Sequence, residues 1–147
     1  MQRIVRFSLA LVALACSAVA AAPIDYKNPA EGRFSDQWLE IYLNGAKVGY
    51  GHTTMAREGK LIHTSTTMHM RIERAAQQVK ISMAQRTTET PEGVPVSFGS
   101  EMDASVMKTT TRGTVKGGRV TIVTSQFGME QTQTFDFAAG ALMSWGL

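Results

Sequence analysis

The stretch Leu61-Ile-His-Thr-Ser-Thr-Thr-Met-His-Met-Arg-Ile-Glu-Arg74 decides the fold class. Ile62, Met68, Met70 and Ile72 fall on one side of an extended chain, and His63, His69, Arg71 and Glu73 on the other. Side chains alternate with period two only in a strand, so this segment reads as a long strand with one apolar and one polar face. The same period continues on either side. Val79, Ile81 and Met83 oppose Lys80 and Ser82, and Val94, Val96 and Phe98 oppose Pro95 and Ser97. Threonine is frequent throughout, as suits the wet face of a pleated sheet.

Turn signals cut the chain into hairpins. Asn44-Gly45 is the strongest, because both central residues of a type I′ turn need positive φ. Glu58-Gly59-Lys60, Pro91-Glu92-Gly93 and Lys116-Gly117-Gly118 follow, with weaker signals at Phe127-Gly128 and Ala138-Ala139-Gly140. The spacing predicts eight strands: Gln37–Leu43, Val48–Arg57, Leu61–Arg74, Gln78–Thr90, Val94–Asp103, Val106–Val115, Arg119–Gln126 and Met129–Phe137. Ala75 to Gln78 is at most a short turn, and no helix is expected after residue 21. The expected fold is all-β: a strongly curled antiparallel meander, a half-barrel or an open barrel, since eight strands pack poorly as a flat sheet.

Residues 1–21 read as an export signal. Arg3 and Arg6 precede the apolar run Phe7 to Val19, and small residues at Ala18 to Ala21 suit a signal peptidase. The run is shorter than the about 20 residues that span a bilayer. The expected organisation is a signal peptide over 1–21, an extended polar arm over 22–36 and a β domain over 37–147. The only cysteine, Cys16, lies inside the signal, so the mature chain is expected to carry no thiol nucleophile, disulfide or cysteine metal site. Cys16 lacks the leucine three places upstream that a lipidation site favours, so a lipoprotein is not expected. Membrane association would require that modification.

Removing Arg3 and Arg6 leaves 13 basic against 12 acidic residues, a balance of +1. Basic residues stand singly among Thr, Ser and Gln, which argues against a nucleic-acid partner. No G-x-S-x-G elbow or phosphate-binding loop is present. His63 and His69 share a strand face but sit roughly 20 Å apart, too far to bind one ion. A tight turn at Gly59 would bring His52 nearer Thr66 than His63. Glu101 and Asp103 share a face at about 7 Å, a spacing compatible with a glycosidase pair but commoner as an acidic rim. Glu89, Glu92 and Glu101 are expected to be solvated around the Pro91 turn. The expectation is no enzyme activity, no cofactor and no metal.

Two features point to binding. Gly49-Tyr50-Gly51-His52 removes side chains from one face, which marks either a bend or a place for a ligand or another backbone. Methionine is abundant and suits either an adaptable core or an apolar binding face. If a concave face holds an acyl chain, the candidate ligand-binding residues are Tyr50, Met68, Met70, Met83 and Phe98.

The segment Trp38-Leu-Glu-Ile-Tyr-Leu-Asn-Gly-Ala-Lys-Val-Gly-Tyr-Gly-His52 resembles the β-rich region before the catalytic core of bacterial exported transglutaminase-like proteins. The likeness continues through Thr88-Glu-Thr-Pro-Glu-Gly-Val-Pro-Val-Ser-Phe98 and Gly113-Thr-Val-Lys-Gly-Gly-Arg-Val120, and covers most of residues 37–142. It implies an accessory domain and a fused or separate catalytic partner carrying a Cys-His-Asp core. With no cysteine after Cys16, no catalytic residue carries over to this chain. The Gly45 to Gly49 hairpin and the meander also resemble periplasmic half-barrel proteins that carry or sense lipids, which implies an apolar ligand.

Overall fold

The structure is a computed structural model that describes residues 24–74, 77–105 and 107–146. The expected signal peptide, Cys16 and the Ala75–Ala76 part of the short turn lie outside the described residues.

Eight antiparallel strands form one sheet in simple sequence order: β1 (Gly32–Leu43), β2 (Ala46–Glu58), β3 (Leu61–Arg74), β4 (Gln77–Glu89), β5 (Pro95–Ala104), β6 (Met107–Lys116), β7 (Arg119–Gln126) and β8 (Met129–Asp136). No described residue is helical. All eight expected strands are present, most within two residues of their expected ends. The exception is β1, which begins at Gly32 inside the segment read as a polar arm. That part of β1 has no clean alternation because a bulge between Arg33 and Ser35 interrupts its pairing.

The turns behave as their chemistry requires. Asn44 and Gly45 have φ of 50° and 79°, and Phe127 and Gly128 have 53° and 76°. Both pairs therefore meet the positive-φ condition of a two-residue hairpin.

The strong curl and closure are not observed. Each strand packs on its sequence neighbours, and β1 and β8 do not pair with each other. Among the described residues there is no second layer and no closure, so few side chains are fully enclosed. Among the described residues the buried apolar side chains of the core are Ile62 and Val120.

Three irregularities shape the sheet. Besides the Arg33/Ser35 bulge, β1 shifts against β2 between Ile41 and Tyr42. β5 shifts against β4 at Thr88/Glu89. The last shift corrects the expected alternation of Val94 and Val96 with Pro95. Glu89 stands opposite Pro95, Val96 is the extra residue, Pro95 is buried and Val94 is exposed.

After β8 the chain returns along one end of the sheet. Phe137 N–H donates to the Gly118 carbonyl at 2.8 Å. The segment then reaches the β4–β5 turn, where Trp145 and Gly146 N–H donate to the Glu89 carboxylate at 2.8 and 3.0 Å. Trp145 Nε1–H donates to the Pro91 carbonyl at 2.9 Å. Its indole meets Phe34 edge-on and Tyr26 at a tilt. Phe34 is the residue the first bulge releases from pairing. The expectation that Glu89 is solvated is therefore wrong: Glu89 is fully buried. The signal was in its phase, because Glu89 is in step with Val79, Ile81 and Met83 on β4.

Candidate functional site: two faces of an open sheet

Directly opposed residues in an antiparallel sheet share a face, so the pairing assigns each side chain. On the apolar face, Leu39, Gly51, Met68, Met83, Met102 and Thr109 form one row across β1 to β6. The row continues through Gln126 to Met129. The next row brings Ile41, Gly49, Met70, Ile81, Ala104 and Met107 together. Met68, Met83 and Met102 therefore stand on three adjacent strands, with Met70 and Met107 one row away. These methionines are partly exposed, and Leu39 and Met129 are exposed. Gln126 Nε2 reaches Met107 Sδ at 3.1 Å and marks the polar border of the patch.

An uncharged belt bounds the patch on its other side: Gln37, Thr53, Thr66, Gln85, Ser100 and Thr111 oppose one another across the same strands. Phe98 lies beyond this belt, four residues and about 13 Å from Met102 along β5. It stands opposite Gly113, and its ring lies over the space that a Gly113 side chain would fill. Phe98 thus covers a glycine rather than joining the methionine patch. Tyr50 is on the opposite face, where it pairs with His69. Of the five candidate ligand residues, the structure brings Met68, Met70 and Met83 together and separates Phe98 and Tyr50 from them.

The polar face carries an aromatic row. Trp38 stacks on His52 with ring centroids 3.9 Å apart and an 11° interplanar angle. Tyr50 lies 5.9 Å from Trp38 and 5.1 Å from His69. His52 Nε2 is 2.7 Å from Asp36 Oδ1, and Asp36 also accepts from Arg33. The His52 hydrogen bond holds the Asp36 carboxyl below its usual range. His52 stands opposite Thr67, next to Thr66, as a tight turn at Gly59 requires. An open depression of about 1060 Å³ begins beside Tyr50 and His69 and extends past Arg71, Lys80, Ser82 and Asp103. No group of three metal-ligating side chains converges among the described residues.

Glu101 and Asp103 do share this face. Glu101 Oε1 accepts from Lys108 Nζ at 2.7 Å, and this bond lowers its pKa. A glycosidase acid needs the reverse shift, upward toward neutrality. Titration of Glu101 by NMR is expected to give a midpoint below that of a free glutamate. A Lys108→Met change should move it upward, and an unmoved midpoint would remove Lys108 as the cause.

No family model, curated protein or solved structure matches this chain. The functional reading therefore rests on the two faces and on the sequence resemblance.

Proposed function

We propose that this chain is an exported, non-catalytic accessory or binding β module, and that the methionine face is its working surface. The observation that carries the reading is the run Met68, Met83 and Met102 across three adjacent strands, flanked by Leu39, Met70 and Ile81. Methionine side chains are flexible and polarizable, so they fit partners of irregular shape. A contiguous apolar patch rimmed by polar residues is the usual mark of an interaction surface. The rim here is the Gln/Thr belt on one side and Thr109 and Gln126 on another.

An open face suits a protein partner better than a small ligand, because it does not enclose one. The resemblance to the front region of transglutaminase-like proteins names the partner: a fused or separate catalytic domain. Export rests on the reading of residues 1–21. A second reading, a carrier of an acyl chain, uses the same patch, since Ile41, Met70 and Ile81 lengthen it into an apolar stripe. That reading requires the sheet to curl around its ligand.

Photo-methionine incorporated in the native host, followed by irradiation and mass spectrometry, tests both. Cross-links from Met68, Met83 or Met102 to a protein with a transglutaminase-like core support the accessory role. Cross-links to fatty acyl groups alone support the carrier. If these residues link only within the chain, the methionine face is not a working surface.

A further inference from the structure

We propose that β8 is a self-association edge that joins two copies of this chain, related by a two-fold axis at Thr132, into one continuous sheet. The two outer strands are protected very differently. β1 carries a bulge at Phe34 and an arginine, Arg33, devices that keep an edge from accepting another strand. β8 pairs with β7 without any irregularity and contains no proline, lysine or arginine. All eight of its residues are exposed. No backbone hydrogen bond of the described residues outside the strand ladders reaches it.

The sequence of β8 selects both occupant and register. Pairing with β7 puts Met129, Gln131, Gln133 and Phe135 on the apolar face, and Glu130, Thr132, Thr134 and Asp136 on the polar face. A two-fold axis normal to the sheet preserves the faces, so it must pass through a residue. Through Gln133, the axis would set Glu130 against the second copy's Asp136, a like-charge pair that is destabilising. Through Gln131, it would carry Phe135 beyond the end of the opposing strand. Through Thr132, it sets Met129 against Phe135 twice, Gln131 against Gln133, Glu130 against Thr134 and Thr132 against itself. Met129 and Phe135 are 69% and 49% exposed in the single chain, and this register covers each with the other. Their burial and the outward N–H and C=O groups of β8 drive the pairing. One strand edge is a small interface, so the dissociation constant is expected on the order of micromolar. The interface is separate from the central methionine patch, so it stands or falls independently of the proposed function.

Sedimentation velocity of the full chain over a concentration series is expected to show a monomer–dimer equilibrium. Thr132→Lys puts two cations on the axis at an exposed site, so it should leave the monomer folded and abolish the dimer. In a Cys16→Ser background, oxidation tests the register through two sets. The first is Thr132→Cys alone, and the second is Gln131→Cys mixed with Gln133→Cys. Opposed pairs alternate between wide and narrow sites, so at least one set falls within disulfide range. A covalent dimer from either set, with none from Gln131→Cys or Gln133→Cys alone, supports the register. A chain that stays monomeric at high concentration, forms open-ended polymers, dimerises undiminished as Thr132→Lys or gives no disulfide in either set overturns the proposal.

Discussion

Replacing Glu89 with alanine is expected to destabilise the protein by about 3–5 kcal/mol and to release the C-terminal segment. The carboxylate accepts from Trp145 N–H, Gly146 N–H and the Thr87 hydroxyl, at 2.8, 3.0 and 3.0 Å. Alanine would leave these part-buried donors without their acceptor and open a cavity beside the buried Ile62, which stands opposite Glu89 on β3. Glu89→Gln keeps one carbonyl acceptor but turns an amide N–H₂ toward the other donor, so its loss should be smaller, about 1–3 kcal/mol. Urea unfolding measures both. Trp145 emission in a Trp38→Phe background reports on the segment, because Trp38 and Trp145 are the only tryptophans. Emission should shift to the red as Trp145 leaves Phe34, Tyr26 and the Pro91 carbonyl. A Glu89→Ala protein that unfolds within about 1 kcal/mol of wild type would show that the segment contributes little to the domain.

Adding one methyl group at Gly49 should cost about 2–3 kcal/mol, while the same change at Gly51 should cost less than about 1 kcal/mol. Both glycines are on the apolar face, but their surroundings differ. A Cβ at Gly49 would run into the backbone carbonyl of His69, so β2 and β3 would have to separate. A Cβ at Gly51 would meet only the side chain of Leu39, at 3.0 Å. Leu39 is exposed on edge strand β1 and can rotate away. Thermal or urea unfolding of Gly49→Ala and Gly51→Ala gives the comparison directly. Equal losses would mean that the close approach at Gly49 is not what requires glycine. Gly49 stands opposite Ile41 and next to Val48, the extra residue of a bulge on β2, so both the bend and the backbone-approach readings of Gly-Tyr-Gly-His meet at this residue.

Strand number, order and most boundaries were legible because period-two alternation and hairpin turns are local signals. The split of residues between faces was equally legible within one strand: Met68 and Met70 oppose His69 in the sequence and on the sheet alike. Comparison between strands was not, because it depends on register. Tyr50 meets His69 rather than Met70 because the Gly59 turn holds two residues, and one residue more or less in that turn would exchange its faces. Phe98 shares the face of Met102, yet the Ser100 row and its ring over Gly113 keep it apart. Glu89 was misread because a charged residue beside a Pro-Gly turn is usually solvated. Its burial depends on Trp145 and Gly146, more than fifty residues away.

The sequence alone determined the all-β class, the eight-strand meander and the existence of an apolar, methionine-bearing face, because alternation and turn chemistry act over a few residues. The tertiary structure decided that the sheet stays open, that Met68, Met83 and Met102 align while Tyr50 and Phe98 do not, and that the C-terminal segment closes over Glu89. Those outcomes depend on register, bulges and contacts between residues far apart in the chain, where a single-residue shift exchanges the two faces.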